Sequence, residues 1–199
     1  MSNSKSSKRR RAKSQPYLAP PTVSAPSLLR GGSDRVFQKL VFDLFTISAR
    51  LEDVRLHLAS RMGISTPQYS LMRAVAALQG AEGVSIGTVA DHLHVSSAFI
   101  AAQSRSLVER DLLLKQEDET DRRVSLLSLT PRGESLVDAV AEQVRPVNDI
   151  FFGILERREF DDLSAIVDKL VQSSRNAIVQ ISSERQEASL STRDGRVAV

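Results

Sequence analysis

Residues 85–131 read Ser-Ile-Gly-Thr-Val-Ala-Asp-His-Leu-His-Val-Ser, then Ser-Ala-Phe-Ile-Ala-Ala-Gln-Ser-Arg-Ser-Leu-Val-Glu-Arg-Asp, then Leu-Leu-Leu-Lys-Gln-Glu-Asp-Glu-Thr-Asp-Arg-Arg-Val-Ser-Leu-Leu-Ser-Leu-Thr-Pro. Ser85 is suited to cap a short helix whose Ile86, Val89, Ala90 and Leu93 turn inward. After His94-Val95, Ser96 caps a second helix to about Arg110, with Ile100, Ser104, Leu107 and Val108 on its inner stripe. Two β-prone runs, Leu112 to Lys115 and Val124 to Leu129, then flank a charged tip, which predicts a hairpin. Helix, tight turn, helix and charged hairpin is the order of a winged helix-turn-helix. The fold class expected is therefore mainly α with a small β-wing.

Working outward, the flanks are helical. Upstream, Val36, Phe37, Leu40, Val41, Leu44, Ile47, Leu51, Val54 and Leu58 recur at the spacing of one long amphipathic helix from Ser33 to Met62-Gly63. Thr66-Pro67 predicts the cap and first residue of the next helix, which Gly80 ends. Downstream, Thr130-Pro131 repeats that start, and Leu136, Val137, Val140, Val144, Val147, Ile150, Phe151 and Ile154 form one stripe. Pro146 is expected to kink it or open its hydrogen bonding. Asp161 is read as the start of the last helix, which carries Leu163, Ile166, Val167, Leu170 and Ile178, and the tail at 183–199 is expected to fray. The organisation expected is an N-terminal arm at 1–33, a helix at 34–64, the winged domain at 65–130, further helices at 131–182, then the tail.

The arm is expected to be disordered, being rich in Ser, Lys, Arg and Pro. It carries seven basic side chains and no acid, with the run Lys-Arg-Arg-Arg-Ala-Lys at 8–13, which serves either to hold phosphates or to solubilise. The next residues, Gln-Pro-Tyr-Leu-Ala-Pro-Pro at 15–21, do not form an apolar stretch, which argues against a twin-arginine export signal. The other residues hold 20 basic and 24 acidic side chains, so the net charge of +3 comes from the arm. The absence of cysteine excludes disulfides and thiolate chemistry. No apolar run is long enough for a bilayer, and the expected location is cytoplasmic, at the nucleoid. No phosphate loop or nucleophile motif is present, so no enzyme activity, cofactor or metal is expected; His92 and His94 diverge on a helix.

The physics of the central motif suits duplex DNA. A helix N-terminus fits the major groove, and a hairpin arginine reaches the minor groove or backbone. Ser96 is expected to cap and to touch phosphate. Ser97, Ala98, Ala101, Ala102 and Arg105 face away from the buried stripe, with Gln103 at the margin and Phe99 read as a packing residue. Arg122 and Arg123 are the wing arginines, Arg123 being expected in the minor groove, and Asp121 orients one of them by a charge-assisted bond. Bulk charge does not carry this reading, because residues 85–132 hold six basic and seven acidic side chains. The wing must therefore aim its acids away from phosphate.

The stretch from Val84 to Leu136 resembles the MarR family of bacterial transcription regulators. The resemblance rests on Ile86 to Ser96, on Leu107 to Lys115, on Asp121-Arg122-Arg123, and on Leu129-Thr130-Pro131-Arg132-Gly133 after it, and the helix plan extends it over roughly 34–182. Asp111 stands where the family usually has glycine, and Ala101 and Ala102 where polar or basic residues are common. The resemblance implies a homodimer held by the flanking helices, bound to a near-palindromic operator with half-sites roughly 34–36 Å apart. It also implies repression relieved by a small aromatic or carboxylate effector, for which Arg50, His57, Tyr69, Met72 and Arg73 are the candidate contacts. The alternatives are a winged-helix module that binds protein and not DNA, or the dimerisation module of a methyltransferase, which the lack of a βαβ segment after the motif disfavours.

Overall fold

The structure is a computed structural model that describes residue 17 and residues 19–194, with side-chain surroundings to residue 185. The basic run at 8–13 and the last five residues lie outside it. A 3-10 turn at Pro26–Leu28 leads to α1 (Arg35–Met62), α2 (Thr66–Leu78), β1 (Val84–Ser85), α3 (Ile86–Leu93) and α4 (Ser97–Glu109). Then come β2 (Leu113–Glu117), β3 (Ser125–Leu129), α5 (Pro131–Phe152) and α6 (Arg157–Asp194). The sheet has the order β1-β3-β2 and is antiparallel throughout, with Val84 opposite Leu127 and Leu113 opposite Leu129. No helix among the described residues is long and apolar enough to cross a membrane.

The core lies between α2, α3, α4, the three strands, the last turns of α1 and the first turns of α5. Leu71, Met72, Val75, Val89, Ile100, Leu107, Leu112, Leu113 and Leu127 are fully buried in it. Four side-chain caps fix where the central helices begin, each satisfying an N–H that the first turn would leave unpaired. Ser85 accepts from the N–H of Thr88 at 3.0 Å, Ser96 from that of Phe99 at 3.2 Å, and Thr130 from that of Gly133 at 3.0 Å. The cap of α2 is Ser65, not Thr66. Ser65 Oγ accepts from Gln68 N while Gln68 Oε1 accepts from Ser65 N, a reciprocal pair available only one residue earlier.

Other boundaries also differ from the sequence reading. β1 has two residues and no strand pattern of its own; it exists because β3 offers it a pairing edge. The helix of α5 continues through Pro146, which is exposed, so the carbonyl it leaves unpaired is open to water. α6 starts at Arg157 rather than Asp161, with the Glu159 carboxylate accepting from the N–H of Glu156 at 2.9 Å. It stays helical to Asp194, through most of the tail expected to fray, since Glu, Gln, Arg and Ala there propagate a helix already nucleated.

The inner part of the arm is ordered too. Asp34 is 6% exposed, and its Oδ2 accepts from the N–H and hydroxyl of Thr22 at 2.7 and 2.8 Å and from Gln38 Nε2 at 2.9 Å. These bonds hold its carboxyl below the usual aspartate range, the Thr22 N–H acting most strongly. The clasp pins residue 22 to the head of α1.

Candidate nucleic-acid interface

α4 is positioned from both ends. At its start, the chain turns through His94 in the left-handed region at φ 55, and His94 Nδ1 lies 2.7 Å from Arg175 Nη2 of α6. At its end, Arg110 donates through Nη1 to the carbonyl of Gly63 at 2.8 Å, fastening the helix to the α1–α2 turn. Ile100, Ser104 and Leu107 are buried, and buried Ser104 returns its hydroxyl to the Ala101 carbonyl at 3.1 Å. The opposite face presents Ala98, Ala102, Arg105 and Glu109, all exposed, with Ala101 half-buried beside them. Ser96 and Ser97 are exposed at the N-terminus. Gln103 is half-buried and lies on the inner side at helical spacing, next to Phe99, which is 39% exposed.

Asp111, where the resemblance would have glycine, sits at φ 55. Its short polar side chain tolerates that left-handed turn, which directs the chain into β2. The wing tip is then organised by two carboxylates. Asp118 Oδ1 accepts from the N–H groups of Thr120 and Asp121 and from the Thr120 hydroxyl. Asp121 receives Arg123 in two parallel bonds, Nε to Oδ1 at 2.9 Å and Nη2 to Oδ2 at 2.8 Å, and also accepts from the Arg123 N–H at 3.1 Å. Two of the wing's acids are thus turned onto its own backbone and arginine, whereas Glu117 and Glu119 stay exposed. The Arg123 side chain remains 90% exposed, with its orientation fixed and Nη1 left to meet an acceptor. Arg122 is exposed and has no ion-pair partner among the described residues.

Both tip carboxyls are held below the usual aspartate range, Asp118 mainly by the Thr120 hydroxyl and Asp121 mainly by the Arg123 guanidinium. A depressed carboxyl stabilises its folded arrangement above the unfolded value and loses that contribution as pH falls through the folded one. The tip is therefore expected to stay ordered down to about pH 4 and to loosen below it. An NMR titration of the Arg123 Nε–H resonance checks this; a midpoint above the ordinary aspartate value contradicts it.

A second feature is a cleft of about 780 Å³ between α1, α2, the end of α3, α5 and α6. Ser48, Glu52, Arg55, Tyr69, Ser70, Arg73, His92 and Asn148 supply its polar lining, with Leu44, Ile47, Leu51 and Val167 among its apolar walls. Arg55 donates to Ser70 Oγ at 2.7 Å and lies 3.0 Å from Glu52. Burial raises the Tyr69 phenol above its usual range, against the charges of Arg73 and Arg55. Of the five effector candidates, Tyr69 and Arg73 line the cleft. Met72 does not, being fully buried in the core. Arg50 is absent from the lining, and His57 faces a separate groove with Asp53, Gln143 and Val147. Sequence reasoning missed Arg55, Ser70 and His92.

No protein-family profile matches the chain. It is 37% identical over 102 residues to the HTH-type transcriptional regulator Hpr of Exiguobacterium sibiricum, which covers 46% of this chain and 53% of that one. The match thus spans about half the length of that relative. Solved structures share the fold, among them the following three. CouR from Rhodococcus jostii RHA1, bound to p-coumaroyl-CoA, has a TM-score of 0.62 at 20% identity, over 69% of this chain and 95% of CouR. The MepR–DNA complex of S. aureus has a TM-score of 0.58 at 19% identity, over 67% and 96%. Staphylococcus aureus MarR in complex with salicylate and kanamycin has a TM-score of 0.57 at 16% identity, over 69% and 91%. With its helix-turn-helix, Asp-Arg-Arg wing and flanking helices in this order, the chain has the winged helix-turn-helix fold of these solved structures and is similar in sequence, over 102 residues, to a bacterial HTH-type transcriptional regulator.

Proposed function

We propose that this protein is a transcriptional regulator that binds a near-palindromic DNA operator as a homodimer and represses until a small aromatic or carboxylate effector releases it. The observation that carries the reading is the pairing of a capped helix with an exposed small-residue face and a hairpin whose arginine is held outward by Asp121. A helix with alanines at its surface approaches base edges closely, and the wing guanidinium suits the narrower groove alongside. The relative Hpr is a transcriptional regulator by name, and the MepR neighbour was solved with DNA, which supports the same reading.

Selection of bound fragments from genomic DNA, and then titration of the enriched duplex, tests it. Arg123→Ala is expected to weaken binding about 10- to 100-fold, the scale of a lost charge-assisted contact, without changing the melting temperature. Equal affinity for both proteins removes the wing from the interface. The acidic balance of the folded part favours one other reading, a protein-binding winged helix, which predicts no salt-dependent duplex binding at all.

The cleft supports the effector half of the proposal. Arg73, with Arg55 held by Glu52 and Ser70 alongside, sits beside a buried phenol and apolar walls and suits a flat ring bearing a carboxylate. Such a ligand acts only if it binds the DNA-competent and released arrangements unequally. Benzoate or a hydroxybenzoate is expected to dissociate the DNA complex, with Arg73→Ala raising the required concentration at least tenfold. Undiminished release from the variant moves the effector site elsewhere.

A further inference from the structure

The outer face of α4 is chemically sparse in a way that specifies what it reads. Between Ala98 and Val108 only Phe99, Ala102 and Arg105 are exposed, so Arg105 is the single exposed side chain there with a hydrogen-bonding group. Ala98, Ala101 and Ala102 surround it with methyls. Ser104 has spent its hydroxyl on the Ala101 carbonyl, and Gln103 turns to the inner side. Such a face cannot read an A·T pair through an amide, nor cytosine through a carboxylate, at its centre. Between the exposed Ser96 and Ser97 at its N-terminus and Glu109 in its last turn, it has two instruments: apolar surface, which gains on contact with the thymine 5-methyl, and one guanidinium, which pairs best with O6 and N7 of guanine.

Resting on the duplex-binding reading above, we infer that Ala98, Ala101 and Ala102 select thymine by its methyl group and Arg105 selects one guanine in each half-site. The helix rise places Ala98 and Arg105 about 10 Å apart along the axis. That corresponds to about three base-pair steps at 3.4 Å each when the helix tracks the groove. Each half-site core therefore carries one or two thymines within about three base pairs of a guanine. Ala98 and Ala102 are one turn apart on one line, so two thymines on one strand fit them better than scattered ones. The lack of polar partners makes the discrimination directional, because removing a methyl leaves a gap that no side chain here fills with a hydrogen bond.

The experiment uses the full chain and a duplex enriched from a random-sequence pool, resynthesised with deoxyuridine for thymine or 7-deazaguanine for guanine in the half-site cores. Deoxyuridine keeps every hydrogen-bonding group and loses only the methyl. Affinity is expected to fall about fourfold per methyl, so at least tenfold when both half-sites are changed. The guanine change removes N7 and is expected to cost about tenfold, an effect absent in Arg105→Ala. An Ala98→Ser, Ala102→Ser double variant keeps the helix and is expected to lose most of the distinction between thymine and uracil. A duplex bound specifically but indifferent to both base changes overturns this assignment while leaving the regulator reading in place. Failure to enrich any duplex sinks the regulator reading itself.

Discussion

Gly133→Ala is expected to destabilise the protein by about 3 kcal/mol, the upper range for forcing a methyl into a closed space. For a chain of this size that lowers the melting temperature by roughly 6–12 °C. A Cβ at Gly133 falls 2.1 Å from the Leu112 carbonyl oxygen, 3.1 Å from its carbon and 3.3 Å from Leu129 Cδ2. The first two are backbone atoms, and the backbone there cannot yield. The Leu112 carbonyl accepts from Thr130 N at 3.3 Å, the Asp111 carbonyl accepts from the Thr130 hydroxyl at 2.7 Å, and that hydroxyl caps Gly133 itself. The first turn of α5 is thus packed against the root of the wing at a distance only glycine allows. Relieving the clash means swinging α5 or the wing root, so DNA affinity is expected to fall together with stability. Gly80→Ala is the control, since Gly80 has no heavy atom within 4 Å of its Cβ position. A Gly133→Ala protein within 1 kcal/mol of the parent by chemical denaturation contradicts the close packing.

That glycine shows why the central motif is legible in the sequence. Leu129-Thr130-Pro131-Arg132-Gly133 encodes a cap, a preorganised first turn and a forced close approach, each a local demand on one residue type. The same holds for Ser85, Ser96 and the Asp121–Arg123 pair two residues apart. The features that escape a sequence reading are non-local. β1 exists because β3 pairs with it, and Asp34 is buried because Thr22, twelve residues away, reaches it. The cleft is half legible. Arg50 and His57 lie seven apart and so share a helix face, but His57 points to the groove with Gln143. Arg55 lies on the stripe of Ser48, Leu51 and Glu52, which the structure turns into the cleft. Spacing defines both faces; the neighbours decide which one closes a pocket. Met72 goes to the core instead of the cleft because an apolar residue on a helix between the two is more cheaply buried than exposed.

On the proposed homodimer, changing Leu163 and Leu170 of α6 together to Glu is expected to leave a monomer with an intact winged core and DNA affinity reduced about 100-fold or more. None of residues 157–185 is buried, and only Val171 is half-buried. Leu163, Ile166, Val167 and Leu170 are 40–53% exposed, while Phe42 and Phe45 on α1 are each 66%, Ile150 in the last turn of α5 is 80% and Ile154, in the turn after it, is 83%. Such apolar side chains exposed on neighbouring helices suit an interface, and in the proposed homodimer a second copy covers them, each stripe being its own complement. Two carboxylates placed in that seam cannot be desolvated without a partner charge, so association fails before the fold does. The core made by α2, α3, α4 and the sheet touches neither position, which is why circular dichroism is expected to change little. The affinity loss comes from tethering: two half-sites held by linked heads gain 10²–10⁴ over a single head. Light scattering that still reports a dimer for the double variant moves the interface to α1 and α5 alone, and unchanged DNA affinity in a proven monomer removes the two-headed mode of binding.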